Sequence, residues 1–486
     1  MRSSKAQILS RVHAIPTIRF CDQTLTSASG LVLFQLLFER LDLKKKLRHT
    51  FHHLNNRGDF KFSELFLVLV VHILLGYRKL SDIEYYKDDP IVARVVGLRR
   101  LPDDSTLSRR LRSVDMQAVA EHQTMNRSLV LDRLAAENLD RITMDFDGSV
   151  CSTRRYAEGT AVGFNRKRKG ERSYYPLLCT VAQTSQIFDA LPRSGNVHDS
   201  SGSLEFIHAC VVAAQHKLPG VMIENRFDSA FFSENTVLLM DELKTEFSIS
   251  VPFERLTELK GHIESRQRWC RIDDTWSCFE IIWKPKKWSK PARFLFLRQK
   301  SNRRPKGPVQ LDMFEPKNIE YSYKVIVTNK TKSAREVMLF HHGRGSQEGI
   351  IGEAKSQAMM DYIPTRSWAG NLIYMQASIL AHNLTRELQM QTKPRVRENG
   401  LTRPALWMFE KLDTVRNRLI RRAGRLHTPS GKLTLTMSAN EAVQRDFEQI
   451  TAGLEVAKQE KSNAFHYQPC LYLPSRSYAF VGRMQR

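Results

Sequence analysis

The sequence has no long apolar run. The longest, Leu65–Leu75, is broken by His72, and a bilayer span needs about 20 apolar residues. Polar Arg57-Gly58-Asp59 before it and Gly76-Tyr77 after it fit a buried helix instead, so no membrane partner is expected. Met1–Thr17 is polar and basic and lacks the apolar core of a secretory signal. Cysteine is scarce: seven residues, an odd count, with no CxxC pair. That argues against a disulfide framework and a zinc site, and for a reducing, cytoplasmic location. Internal repeats and long low-complexity segments are also missing. Acid is in deficit, 51 Asp plus Glu against 75 Lys plus Arg, which leaves a formal charge of +24. A charge that large attracts polyanions and makes nucleic acid the first partner class to consider. At 42% hydrophobic, the 486 residues are enough for several folded cores.

From Ser29 to about Val114 the pattern is helical, with Leu31, Leu33, Phe34, Leu37 and Leu41 at helix spacing. Pro102, Asp103, Asp104 and Ser105 then start a short helix carrying Arg109, Arg110 and Arg112. It reads either as the recognition helix of a helix-turn-helix or as a solvated basic face. At Leu139 the texture changes. Arg141–Asp147 alternates as a half-buried strand does, Leu177–Val181 and Ile187–Leu191 follow, and Leu204–Ala214 is a helix before Val221-Met222-Ile223. Strands alternating with helices predict an α/β layer.

Between about Ser248 and Thr328 four of the six tryptophans (269, 276, 283, 288) fall within twenty residues, and Lys284–Lys306 holds ten basic residues and no acidic one. This reads as a β-rich insertion with a basic face. Trp276, Trp283 and Trp288, beside Lys284, Lys286 and Lys287, are either base-stacking candidates or the core of a small β domain. Helices are expected over Gln347–Gln357 and Leu372–Leu388. A basic, helix-like C-terminal region follows, with Arg416, Arg418, Arg421, Arg422 and Arg425 clustered.

Two phrases echo each other: Phe146-Asp147-Gly148-Ser149 and Phe227-Asp228-Ser229-Ala230. Each places an Asp at a strand end before small residues, where a large ligand can approach. Paired carboxylates suit Mg²⁺, a hard ion that takes oxygen ligands, although turn-forming aspartates would look the same. Asp145 rivals Asp147 because alternation puts both on one face. Only Asp147 shares the phrase around Asp228. Farther on, a helix starting near Ser346 would put Glu348 and Lys355, seven apart, on one face behind the basic turn at Arg344.

These blocks resemble the DDE transposases of bacterial insertion sequences, in the group with a Tyr, Arg, Glu, Lys signature. His341, Arg344, Glu348 and Lys355 stand at that signature's spacings, with His341 where the family has Tyr. Arg193-Ser194-Gly195-Asn196-Val197-His198 and Asn383-Leu384-Thr385-Arg386-Glu387-Leu388 also resemble the group. The resemblance covers roughly residues 140–390 and implies an α/β, RNase H-like catalytic core interrupted by the β-rich insertion, between helical N- and C-terminal regions. The expected division is 1–135 helical DNA-binding region, 136–247 first part of the core, 248–330 basic insertion, 331–390 second part, and 391–486 basic C-terminal region. Asp147, Asp228 and Glu348 would hold two Mg²⁺ ions, with Mn²⁺ able to substitute, while Arg344, Lys355 and His341 would contact DNA. The implied activity is cut-and-paste transposition on double-stranded DNA, terminal inverted repeats and target, by a homodimer in the bacterial cytoplasm, associated with the nucleoid. Two alternatives are an inactive DNA end-binding protein and a tyrosine-recombinase-type enzyme using His341 and Arg344 with Tyr362 or Tyr374.

Overall fold

The computed structural model describes residues 16, 18, 24–54, 59–163, 165, 168–198, 201–300 and 321–456. The basic N-terminal stretch, Arg166-Lys167 and the end of the Lys284–Lys306 run lie mostly or wholly outside these residues. The N-terminal part is helical, as its spacing predicts. Its main elements are α1 (Phe62–Leu75), α2 (Asp104–Arg112) and α3 (Met116–Ala136), the last capped by the Asp115 carboxylate on the Ala118 N–H. The apolar run is α1, buried almost throughout, with Gly76 in the left-handed region ending it. Among the described residues no helix is long and apolar enough to cross a membrane. In α2, Leu107 and Leu111 face inward while Arg109 and Arg112 are exposed.

From Arg141 the chain is mixed α/β. The strands of its main sheet are β1 (Arg141–Gly148), β2 (Leu177–Val181), β3 (Gln186–Leu191), β4 (Met222–Phe227), β5 (Glu246–Val251), β6 (Cys270–Arg271), β7 (Trp276–Trp283), β8 (Ala292–Lys300) and β9 (Tyr321–Thr328). Among the described residues they form one nine-stranded sheet in the order β6-β7-β8-β9-β5-β4-β1-β2-β3. β1 is parallel to β4 and β4 to β5, whereas β2 runs antiparallel beside β1 and β3 antiparallel beside β2. Helix α4 (Ser203–Lys217) covers one face, packing on Met144, Phe146, Leu177 and Cys179. The other face carries α5 (Ala334–His342), α6 (Ser346–Ser356) and α7 (Trp368–Thr392). Leu178, Ile187 and Ala190 point into that layer; Ile187 and Ala190, three apart, share a face because the β2–β3 register shifts between Cys179 and Thr180.

Two expectations change. The β-rich insertion does not make a sheet of its own: β9 pairs antiparallel with β5, so β6–β9 prolong the main sheet. The described part of the C-terminal region, 391–456, is not mainly helical. Pro394, Pro404 and Pro429 deny it helix interiors, and Gly424–His427 pairs with both Leu25–Thr26 and Thr434–Met437. Its helix Glu441–Val456 returns to the core that α1 and α7 share. The arginine cluster is partly spent on the fold, since Arg416 is buried and donates to the carbonyls of Ile73, Leu74 and Gln357 at 2.9–3.0 Å.

A buried polar ladder crosses the middle of the sheet. Glu224 on β4, fully buried, accepts from Thr143 (3.1 Å), Arg141 (2.7 Å), Lys330 (2.6 Å) and Arg403 (2.6 and 2.9 Å). Burial opposes its ionisation, but Arg403 and Lys330 outweigh burial and hold the carboxyl at about 2, against 4.5 when free. The folded value lies below the unfolded one, so this contribution is complete above pH 4.5 and disappears as pH falls toward 2. Glu224→Gln should lose roughly 3–5 kcal/mol at neutral pH, the usual cost of stranding buried partner charges. Urea midpoints from pH 7 downward test this: the variant should be weaker at pH 7 and flatter below 4.5. An unchanged midpoint at pH 7 would refute it.

Candidate active site

The register Phe146↔Phe227 between parallel β1 and β4 brings the next residue of each strand, Asp147 and Asp228, side by side. Asp228 also caps a short turn, accepting from the Ala230 N–H at 3.0 Å. Both carboxylates keep some contact with solvent, at 21% and 34% side-chain exposure. One guanidinium spans them: Arg344 Nη2 lies 3.2 Å from Asp147 Oδ2 and 3.7 Å from Asp228 Oδ2. Asp145, the rival first acid, is completely buried and held by Arg226 through bonds of 2.5 and 2.6 Å, so it is structural.

Arg344 sits in the turn Gly343–Gly345 joining α5 to α6. That turn presses against the sheet at Gly343, where a Cβ would stand 1.9 Å from the Thr402 carbonyl and 2.2 Å from Arg226 Nη1. Only glycine fits there. Helix α6 is tied at one end to β1 and at the other to the loop that follows it. Buried Gln347 donates to the Asp145 carbonyl at 2.7 Å, and Lys355 Nζ donates to Ser149 Oγ (3.1 Å) and the Val150 carbonyl (2.5 Å). Glu348 is therefore delivered, exposed, in the first turn of a helix clamped beside Asp147. Lys355 stands on the same helix, though its ammonium here serves the loop after β1.

Electrostatics mark the acids as a strained set. Burial first, and then the charges of Asp228 and Glu348, raise the Asp147 pKa to about 6, while Arg344 works the other way. Carboxylate oxygens, two of whose charges raise the pKa of Asp147, suit a hard divalent cation, and nothing in the set suits a soft one. The fit is good for Asp147 and Asp228. The three acids are not yet gathered, because among the described residues the only three potential ligand atoms within 4.8 Å of one another belong to His52, His53 and Glu121.

His341 is a correction. It is 2% exposed, with Ser248 Oγ 2.9 Å from Nδ1 and Ser250 Oγ 2.8 Å from Nε2. Burial, then Lys324 and Arg344, push its pKa well below the ordinary value. A neutral imidazole engaged on both nitrogens inside the protein anchors α5 to β5 and does not meet a DNA phosphate. Of the two tyrosines of the recombinase alternative, Tyr374 is also fully buried, its hydroxyl donating to the Arg78 carbonyl at 3.2 Å, and half-buried Tyr362 packs against it with ring centres 5.4 Å apart. The tryptophans are packed: Trp283 on Phe294, Trp288 on Phe232 and Trp269 on Phe279. Trp276 lies against His342, ring centres 5.1 Å apart.

Sequence reasoning missed two residues. Gln347 sets the helix that carries Glu348. Lys324, half-buried on β9, has its pKa lowered to about 8 by burial and then by Arg344. Neither has a sequence signature, because both act through partners far along the chain.

Paired carboxylates at adjacent strand ends, beside cationic side chains, are suited to metal-dependent chemistry on a phosphodiester. The chain belongs to the transposase DDE domain group 1 family, whose sequence profile matches residues 15–459. No curated protein matches it in sequence. Among solved structures it is similar to a piggyBac transposase synaptic complex with hairpin DNA, at 12% identity over 74% of each chain and a TM-score of 0.38. It is also similar to the Mos1 mariner paired end complex with Mn, at 11% identity over 50% of this chain and 71% of that one, with a TM-score of 0.16.

The raised Asp147 pKa has a stability consequence. A folded value of about 6 above a free value of 3.8 means that ionising this group costs the native state. The cost is absent below the free value and complete above the folded one. Asp147→Asn should therefore raise the melting temperature of the metal-free protein at pH 7.5 and bring little gain at pH 4. Calorimetry at the two pH values decides it, and a lower melting temperature at pH 7.5 would contradict the argument.

Proposed function

We propose that this chain is a transposase that binds the ends of an insertion sequence, cuts the DNA there with two divalent ions and joins the freed 3′-hydroxyls to target DNA, in a cut-and-paste reaction. The observation that carries this reading is the β1–β4 register, which sets Asp147 beside Asp228 with Arg344 across both. Family membership favours transposition over general nuclease activity, and the charge of +24 supports a DNA partner. The antiparallel β1-β2-β3 unit beside parallel β4 and β5 supports an RNase H-like core spread over 136–247 and 331–390. On this reading 1–135 binds DNA, 248–330 widens the core sheet, and the described part of 391–486 closes the back of the helical layer.

Asp147, Asp228 and Glu348 would hold the ions, Mg²⁺ or Mn²⁺. When bound, such ions activate the attacking oxygen and stabilise the leaving one. The protein's own part is positioning. Strand ends fix two acids rigidly, and α6, clamped through Gln347 and Lys355, carries the third on a short lever. Arg344 neutralises the acids until a cation takes over that task, and its guanidinium then suits two oxygens of one phosphate. Lys324 and Lys355 add point charges on the same side. His341 holds the α5 end of this assembly. Two element ends call for two copies of the chain, so a homodimer is the expected working form.

The test uses purified full-length protein, DNA bearing the element's own ends, and mapped cleavage products. Mg²⁺-dependent cuts at the element boundary are expected. They should fall roughly a thousandfold in Asp228→Asn and Glu348→Gln, equivalent to about 4 kcal/mol of barrier, while end binding persists. Cuts that survive chelation would end the metal mechanism. End binding by the wild type with no cut under any divalent ion would leave an end-binding protein.

A further inference from the structure

We infer that the helical N-terminal region carries a second, chemically different metal site, built from His52, His53 and Glu121 and suited to Zn²⁺. Their ligand atoms all lie within 4.8 Å of one another, a condition the proposed catalytic acids do not meet. The residues come from two elements, the turn after helix Leu43–Thr50 and the second turn of α3. Phe51 and His122, next to them in sequence, stack inside the core at 6.1 Å, and this packing fixes how their neighbours meet outside it.

The hydrogen bonds around the three residues leave one lone pair free on each. His52 Nδ1 lies 2.7 Å from the His49 carbonyl, so that nitrogen bears the proton and Nε2 is open. His53 Nε2 lies 3.3 Å from Asp115 Oδ1, which assigns the proton there and leaves Nδ1 open. One Glu121 oxygen accepts from Gln117 at 2.8 Å, and the other faces His53. Backbone carbonyls and carboxylates on the far nitrogen are how metal-binding imidazoles are usually oriented.

The remaining gap has a specific size. His53 Nδ1 is buried and makes no hydrogen bond, yet Glu121 Oε2 stands 3.4 Å away. Two ligands of tetrahedral Zn²⁺, each about 2.0–2.1 Å from the ion, are about 3.4 Å apart. Two imidazoles and one carboxylate form a common three-ligand zinc set with a fourth position for water, and imidazole disfavours Mg²⁺. Scarce cysteine is no obstacle, because this set uses none.

Co²⁺, which reports tetrahedral coordination through visible absorption, is the probe to use on the full-length chain carrying Asp147→Asn and Glu348→Gln. Those changes remove competition from the catalytic acids, so the result does not depend on transposase activity. One equivalent of Co²⁺ should give tetrahedral bands that Zn²⁺ displaces, and Zn²⁺ should raise the melting temperature. His52→Ala, at an exposed side chain the fold tolerates, and Glu121→Gln should each weaken binding by more than about a hundredfold, beyond the usual loss of an outer partner. Circular dichroism checks that both variants fold. No tetrahedral band, or binding unchanged in both variants, would overturn the site and leave His53 in an ordinary ion pair between Asp115 and Glu121.

Discussion

The constraint from which the site follows is the buried pair Asp145–Arg226. Taking both charges out of water is expensive, and a pair of well-packed apolar residues would often be at least as stable. What the pair adds is uniqueness of arrangement. Asp145 and Arg226 are register partners on β1 and β4, bonded through both carboxylate oxygens. A slip of one residue would strand both charges, and the alternation of strands would turn every polar side chain into the apolar layer under α4. With the register fixed here, Asp147 and Asp228 can only be neighbours. Arg226 reaches further, donating to the Phe340 carbonyl at 3.0 Å and the Thr402 carbonyl at 2.9 Å. It thereby seats the end of α5 and the turn that holds Arg344.

The polar face of the sheet grades from structure to chemistry along the strand direction. Glu224 is surrounded by cations, Asp145 has one dedicated cation, and Asp147 with Asp228 share a single guanidinium. Counter-charge thins out as exposure rises, so Asp147, whose pKa is raised by burial and by its acidic neighbours, is the least neutralised acid along β1. That is the condition for recruiting a cation from solution. Lys324 stands near Arg344 at the same edge, on the side where an incoming phosphate would come.

Much of this was readable in the chain. Strands β1 and β2, and helices α4, α6 and α7, announce themselves because each is packed on a definite face and its periodicity follows. The repeated Phe-Asp-small phrase marked Asp147 over Asp145 for a physical reason, since small residues after a strand end leave the carboxylate open. Spacing misled at His341. The position matched a DNA-contacting one, but its environment is supplied by Ser248 and Ser250, over ninety residues earlier, and no local pattern encodes that burial. The joining of β9 to β5 was hidden likewise, because strand pairing across a sheet edge leaves no trace in composition.

The two proposed metal sites illustrate how donor chemistry can keep two functions apart in one chain. The acids at the strand ends offer only oxygen, and their mutual repulsion makes them receptive to a hard, exchangeable ion. The site on the N-terminal helices offers two imidazoles held in place by outer partners, a set that favours a softer, slowly exchanging ion. A cell's Mg²⁺ would thus not fill the second site, and trace Zn²⁺ would find the better ligands away from the first. An ion there would cross-link the His52-His53 turn to α3, the helix whose other end buries Val130, Leu131 and Leu134 against the catalytic sheet's α4 layer. Binding energy spent there would stiffen the frame around α2 and α3, not the reacting centre. The separation lets stability and catalysis be tuned by different residues.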